Sequence, residues 1–212
     1  RTPENAGQLV ESGWLADGFR GDEQSASWRV RSREMVERYV TGLDPDAEPL
    51  GVERTLAART ERLALSGRVD RLDDRDGELV VVDYKTGRRP LTTDDARGSM
   101  ALAIYAITAG RTLRRPCHTV ELHHLPSGEV VAWEHTDESL ERQLRRGEAI
   151  ADEIVSAAGD TAAAVGVETA ADAYPVRPGP QCGWCSLRAH CPEGQRAAAA
   201  RNPWDALADP LQ

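Results

Sequence analysis

The sequence predicts an α/β fold, a β-sheet flanked by helices. Three observations carry this. Leu79-Val80-Val81-Val82 is apolar without interruption, the pattern of a central strand buried on both faces. Asp76-Gly77 just before it is a hairpin signal, so the preceding strand folds back beside it. Segments with apolar residues at helical spacing lie before and after these strands. The length of 212 residues suits one α/β domain with a sizeable core.

The elements follow in order. Thr2-Pro3 opens a helix running toward Asp17, with Leu9, Val10, Trp14 and Leu15 on its apolar stripe. Asp22 to Leu43 is a second helical segment, ended by Leu43-Asp44-Pro45-Asp46, with Trp28, Met35, Val36, Tyr39 and Val40 expected inside. Val52 to Arg59 and Leu63 to Leu72 read as strands joined by a short turn, and Leu79 to Tyr84 as the next strand. Thr93 or Asp94 starts a helix expected to run through Ala109 and stop at Gly110. His118 to Leu125 and Glu129 to His135 form a hairpin around Pro126-Ser127-Gly128, and Asp137 caps a long helix to about Ala158. Gly159 to Ala173 reads as partly loop, Pro175 to Pro180 as an extended connector, and the segment after Arg196 as a tail in which Trp204 docks or stays mobile.

Composition narrows the function. A net charge of -9 argues against a general nucleic-acid coat, but not against a locally positive groove. No apolar run has the length of a membrane span, and no signal peptide opens the chain. Four cysteines with three clustered are not a disulfide framework; they read as a metal site in a reducing cytoplasm.

Lys85 is the only lysine among 26 basic residues. Arginine is permanently charged, whereas the ammonium of lysine can be tuned by its site, so a lysine kept here points to chemistry. Asp83 precedes it by two residues and shares its strand face. Gly67-Arg68-Val69-Asp70 supplies a second carboxylate upstream. Two carboxylates and an ammonium at a strand end suit a hard divalent metal and a phosphate. The same residues on a surface strand would be solvated charges, and Glu53, beside Arg54, is read that way as readily as the functional one.

Gly67-Arg68-Val69-Asp70 followed by Val82-Asp83-Tyr84-Lys85-Thr86-Gly87 resembles the PD-(D/E)XK nuclease superfamily, in particular its RecB-like exonuclease branch. That branch includes the AddB nuclease domain and the CRISPR-associated adaptation nucleases. Cys182-Gly183-Trp184-Cys185 and Cys191-Pro192 resemble the end of the iron–sulfur clasp of the same branch. The resemblance implies a restriction-endonuclease-like fold: a central mixed β-sheet flanked by helices, with a C-terminal cysteine clasp. It implies a magnesium- or manganese-dependent DNA exonuclease acting on single-stranded ends in repair or recombination. Asp70, Asp83 and the Tyr84 carbonyl would hold the metal, with Lys85 and Glu53 completing the catalytic set. Lys85 can orient or deprotonate the attacking water, or stabilise developing charge. Arg88, Arg89 and Tyr105 would contact DNA, although core packing fits Tyr105 equally well. Cys182, Cys185 and Cys191 would hold a [4Fe-4S] cluster, with Zn2+ as the alternative. The arginine groups Arg111, Arg114 and Arg115, and Arg142, Arg145 and Arg146, are weaker DNA candidates.

On this reading residues 1–196 form one nuclease domain: a helical part at 1–45, the catalytic sheet at 50–136, the long helix at 137–158 and the clasp at 175–196, followed by a tail at 197–212. Two features of the branch are missing: a histidine upstream of Glu53, and a glutamine four residues before Tyr105, where Ala101 stands. The histidine and a fourth cysteine are expected in an N-terminal segment ahead of Arg1. Cys117 is expected in the core. A non-catalytic DNA-binding or scaffolding module, and a CRISPR-adaptation nuclease, are the alternative readings. Expected partners are DNA and a helicase or integrase protein, with no membrane.

Overall fold

The computed structural model describes residues 2–163, 175–201 and 207. By packing the chain divides into two units, Arg38–Ile154 and a second made of Arg1–Glu37 with Val155–Gln212. The first holds the sheet. Strands β1 (Gly51–Arg59), β2 (Ala64–Arg75), β3 (Glu78–Lys85), β4 (Thr119–His124) and β5 (Glu129–Glu134) lie in the order β1-β2-β3-β4-β5. All neighbours are antiparallel except β3 and β4, which run parallel. The sheet is therefore mixed, as expected.

The tight turns lie where the sequence put them. Asp76 and Gly77 both have positive φ (53° and 93°), the backbone that a two-residue hairpin needs to match strand twist. A parallel pair cannot be closed by a hairpin, so the chain crosses from β3 to β4 through helices α3 (Thr93–Gly98) and α4 (Met100–Leu113). A single helix ending at Gly110 was expected here, and the structure corrects it. Ser99 breaks the run by leaving helical backbone and accepting from Leu102 N–H (3.3 Å), which starts α4 afresh. The helix then continues through Gly110 to Leu113, and Arg114 caps it in left-handed backbone (φ 55°).

Helix α4 buries Leu102, Ala103, Ala106, Ile107, Thr108 and Ala109. It packs on one sheet face with Leu56, Val69, Leu72, Leu79, Val81, Val120 and Leu122. Each such Leu or Val contributes about 1.5–3 kcal/mol when fully buried. Cys117 joins this core as expected, and burial pushes its thiol up to about 12. Val80 and Val82 are also buried, which strand alternation places on the opposite face. The β3 run is thus buried on both faces.

That opposite face carries charge. Arg71 donates to Asp73 (2.6 Å), and Arg75 donates to Asp73 (3.0 Å) and with both amino groups to Glu121 (2.6 and 2.9 Å). Glu121 also accepts from His123 (2.9 Å), whose other nitrogen lies 2.8 Å from the Tyr39 hydroxyl. Tyr39 sits near the end of helix α2 (Asp22–Thr41). Of the residues expected inside that helix, Trp28, Met35, Val36, Tyr39 and Val40 are only half-buried, and Gln24 and Ser25 are the buried ones.

In the second unit, helix α1 (Pro3–Ser12) is capped by Thr2, whose hydroxyl accepts from Asn5 N–H (3.2 Å). It stops short of Asp17, because Gly13 closes it with a bond to the Leu9 carbonyl (3.0 Å) and Trp14 turns away to stack on Phe19. Helix α5 (Asp137–Ala163) outruns its expected end near Ala158. The loop expected at its far end falls largely outside the described residues, as does Trp204.

The Glu121 cluster fixes a pH dependence. Burial raises the Glu121 carboxyl, but His123 and Arg75 outweigh burial and bring it down to about 2 from an ordinary 4.5. A depressed pKa stabilises the fold above the unfolded value and loses that contribution as pH falls toward the folded one. Urea titrations at neutral pH and at pH ~3 should show wild type losing about 2 kcal/mol more than Glu121→Gln. Equal losses in both proteins would show that Glu121 is not the titrating group.

Candidate active site

The site forms where β2 and β3 part. Their pairing runs from Arg75↔Glu78 to Arg71↔Val82. One step further a side chain replaces the backbone partner: the Asp70 carboxylate accepts from Tyr84 N–H (2.9 Å). Alternation puts Asp83 and Lys85 on the Val81 face, toward α4, and Tyr84 on the Val82 face. The Lys85 ammonium pairs with the Asp83 carboxylate. Asp83 is largely buried (16% of its side chain exposed), whereas Lys85 reaches out to solvent (45%). Asp83 Oδ2 is fully shielded from solvent and makes no hydrogen bond of ordinary geometry, so Lys85 is its one compensating charge among the described residues.

Asp70, Asp83 and Lys85 are thus brought together through a single peptide unit. A buried carboxylate oxygen lacking a regular partner, beside a second carboxylate, fits a hard cation. Magnesium needs only one or two carboxylates, because water and substrate phosphate supply its other ligands. The Tyr84 carbonyl belongs to the same peptide stretch.

Glu53 is not gathered in. β1 pairs Val52↔Arg71 and Arg54↔Val69, so Glu53 falls opposite Asp70 in an acidic row across β1, β2 and β3. Strands lie about 4.8 Å apart, which puts Glu53 roughly two spacings from Asp83. Its backbone is left-handed (φ 49°), and its exposed carboxylate pairs with Arg68 (2.9 Å). Such an exposed pair is worth about 0–1 kcal/mol, so it restrains Glu53 only weakly. Among the described residues, no three acidic, histidine or cysteine side chains stand poised around one point.

Arg88 is exposed at the strand exit. Arg89 is engaged in a forked contact with Asp95 (2.6 and 3.1 Å), and the same carboxylate closes the capping box of α3 at Thr92. Hydrogen bonds from Arg89 and then Thr92 hold the Asp95 carboxyl well below the usual range. Tyr105 is half-buried, with its ring edge over Gly67 of β2; a Cβ there would lie 2.4 Å from Tyr105 Cε1. Arg111 donates to the Arg59 carbonyl (3.2 Å), Arg115 pairs with Asp74 and Arg145 with Glu141 (3.3 Å), so these arginines serve the fold.

Sequence reasoning missed the residues that support the motif. β4 runs parallel to β3 with Tyr84↔His123 and Lys85↔His124 side by side. His124 donates through Nε2 to the Gly87 carbonyl (2.6 Å) and so holds the turn after Lys85. The His123 and Tyr39 rings flank Tyr84 edge-on, with centroids 6.0 and 5.5 Å away. The available signal was the His123-His124 pair, in a chain with five histidines, at the end of a strand beside the motif.

A family model described as the PD-(D/E)XK nuclease superfamily matches residues 1–192. The chain belongs to this superfamily. No curated protein matches it. PD-(D/E)XK nucleases typically use Mg2+ or Mn2+, and membership assigns the chain nuclease chemistry on a restriction-endonuclease-like fold. No helix among the described residues is long and apolar enough to cross a membrane.

The cysteine segment is built from two short 3-10 turns, Pro180–Trp184 and Arg188–His190, and helix α6 (Pro192–Ala197). Cys182 Sγ accepts from Gly179 N–H (3.5 Å) and Cys191 Sγ from Gly194 N–H (3.3 Å). Both side chains crowd Gly194: a Cβ there would lie 3.4 Å from Cys191 Sγ and 3.6 Å from Cys182 Cβ. Cys185 is exposed and does not join them. Gly183 is needed for closure, since a Cβ would meet the Ala199 carbonyl at 2.9 Å, and Arg201 returns to stack over Trp184.

Proposed function

We propose that the chain is a magnesium-dependent DNA exonuclease of the RecB-like type, acting on single-stranded ends in repair or recombination. The observation that carries the reading is the sole lysine, Lys85, paired with the buried Asp83 carboxylate beside Asp70 at the fork of β2 and β3. The metal would be held by Asp70, Asp83 and the Tyr84 carbonyl, and when bound it supplies Lewis-acid polarisation of the scissile phosphate. Lys85 has the exposure to reach a water or a phosphate oxygen while Asp83 fixes its root. From there the ammonium would orient the attacking water or meet the charge developing on the phosphate. Glu53 needs only to release Arg68 to turn toward the row of acids. Arg88 and Tyr105 border the same fork and would steady the strand.

With an end-labelled single strand and magnesium, Lys85→Ala should lower the cleavage rate by at least about a hundredfold while still folding. Cleavage at the wild-type rate would remove Lys85 from the mechanism. The non-catalytic alternative makes the opposite demand, that the wild-type chain bind DNA and leave it intact.

For the cysteine segment we favour a structural [4Fe-4S] cluster held by Cys182, Cys185 and Cys191. The support is the pair of N–H···S bonds and the convergence of Cys182 and Cys191 on Gly194, an arrangement suited to thiolates. Cys185 would have to swing in from solvent. Full-length protein purified without oxygen should be brown and should bleach in Cys182→Ser and Cys191→Ser. Colourless protein carrying one zinc would overturn the cluster in favour of a zinc site.

A further inference from the structure

Away from the fork, α3, β5 and α5 enclose a cavity of about 370 Å³ lined by Arg97, Trp133, His135, Ser139, Arg142 and Gln143. Three of its lining residues each carry a buried polar atom without a partner: Trp133 Nε1, His135 Nε2 and Gln143 Oε1. Native interiors leave few such atoms, so three around one cavity call for an explanation. His135 is 3% exposed, and its Nδ1 lies 2.7 Å from the Ser139 hydroxyl. Burial, helped by the charge of His118, lowers its pKa and keeps the ring neutral at physiological pH. When the Ser139 hydroxyl donates to Nδ1, the ring's one hydrogen lies on Nε2 and makes it a donor, the tautomer that an anion in the cavity would favour. Trp133 Nε1 can only donate. The Gln143 amide presents either its oxygen or its NH2 group after a half-turn.

Two cations complete the wall. Arg97 lies over the Trp133 ring (5.7 Å) and pairs with Asp94 (2.8 Å). Arg142 is exposed at the rim; the Glu138 carboxyl near it is lowered chiefly by its hydrogen bond with Thr136, with the Arg142 charge the smallest contribution. Fixed N–H donors and guanidinium groups around one cavity suit a tetrahedral oxyanion.

We propose that this cavity is a second, non-catalytic site that binds a phosphate group through Trp133, His135, Arg97 and Arg142. It lies on the same sheet face as Lys85. Trp133 pairs with Val120, which pairs with Val81, four residues before Lys85 on β3. At roughly 3.3 Å per residue the offset along the strands is about 13 Å. That is a few nucleotides at about 3.4 Å per duplex step. A terminal phosphate of the DNA strand and a released mononucleotide both have the required chemistry. Which of them fills the site depends on the nuclease reading; the phosphate site itself does not.

The test follows the indole N–H resonance of Trp133 in the whole chain, with metal chelated and inorganic phosphate as the probe. The signal is assigned by its loss in Trp133→Phe. A saturable shift is expected, with binding about tenfold weaker or more in Arg142→Gln and in Arg97→Gln. A drift that never saturates, or one identical in both variants, would overturn the site and leave a water-filled cavity. A terminally phosphorylated oligonucleotide, its hydroxyl-ended twin and a deoxynucleoside monophosphate separate the sources. If the strand end is the ligand, the phosphorylated strand shifts Trp133 at lower concentration than the other two. If the free nucleotide is, the monophosphate matches or exceeds the phosphorylated strand. No shift with any of the three would overturn the role in nucleic-acid handling. Phosphate binding in a chain that cleaves nothing would keep this site and reject the nuclease reading. Cleavage without phosphate binding would do the reverse.

Discussion

The Asp70 carboxylate accepts a hydrogen bond from the Tyr84 backbone at the point where β2 leaves β3. An antiparallel ladder would normally satisfy that N–H with a carbonyl. Here a side chain does so, and the two strands can separate without leaving a buried donor unpaired. The separation opens room at the end of the central strand, and it does so with carboxylates on both arms. Asp83 and Lys85 then follow by strand alternation, one residue on either side of Tyr84. Everything reactive in the site hangs on one peptide group being held in place.

The opposite face of the sheet holds that peptide group. Tyr84 is wedged between the rings of Tyr39 and His123, and His123 is tied through Glu121 to Arg75 and Asp73. Replacing one member of a buried ion network leaves the others uncompensated, which costs far more than an exposed pair. A rigid back wall with an open front is what the proposed nuclease site would need to admit a charged strand and a cation. Around the fork Arg68 pairs with Glu53 and Arg89 with Asp95, while Lys85 reaches out to solvent from Asp83.

Much of the sheet was legible from the sequence because its signals are local. The Asp76-Gly77 turn, the apolar β3 run and the alternation around Asp83 and Lys85 each depend on adjacent residues. The helical crossover was less legible. Gly110 looked like a stop, but its missing Cβ serves the close approach of the Arg115 carbonyl, 3.3 Å from where that Cβ would sit. Gly98-Ser99 did carry a local signal, a helix-weakening residue followed by a favoured cap, which the single-helix reading passed over. In the site, Asp70, Asp83 and Lys85 were readable from motif spacing. The supports Tyr39, His123 and His124 were not, since the histidines arrive through the parallel pairing of β3 with β4 and Tyr39 from α2. Glu53 was readable as an acid at the right level of the sheet. Its left-handed backbone and its pairing with Arg68 were not, because both arise where the β1–β2 pairing skips Glu53, between Val52↔Arg71 and Arg54↔Val69.

The most direct test is crystallographic: manganese diffused into crystals of the chain and located by its anomalous scattering. The account requires a peak in the fork, ligated by the Asp70 and Asp83 carboxylates and the Tyr84 carbonyl, with the Lys85 ammonium displaced from its direct contact with Asp83. A strong manganese peak elsewhere, with the fork closed and Lys85 still paired to Asp83, would contradict it.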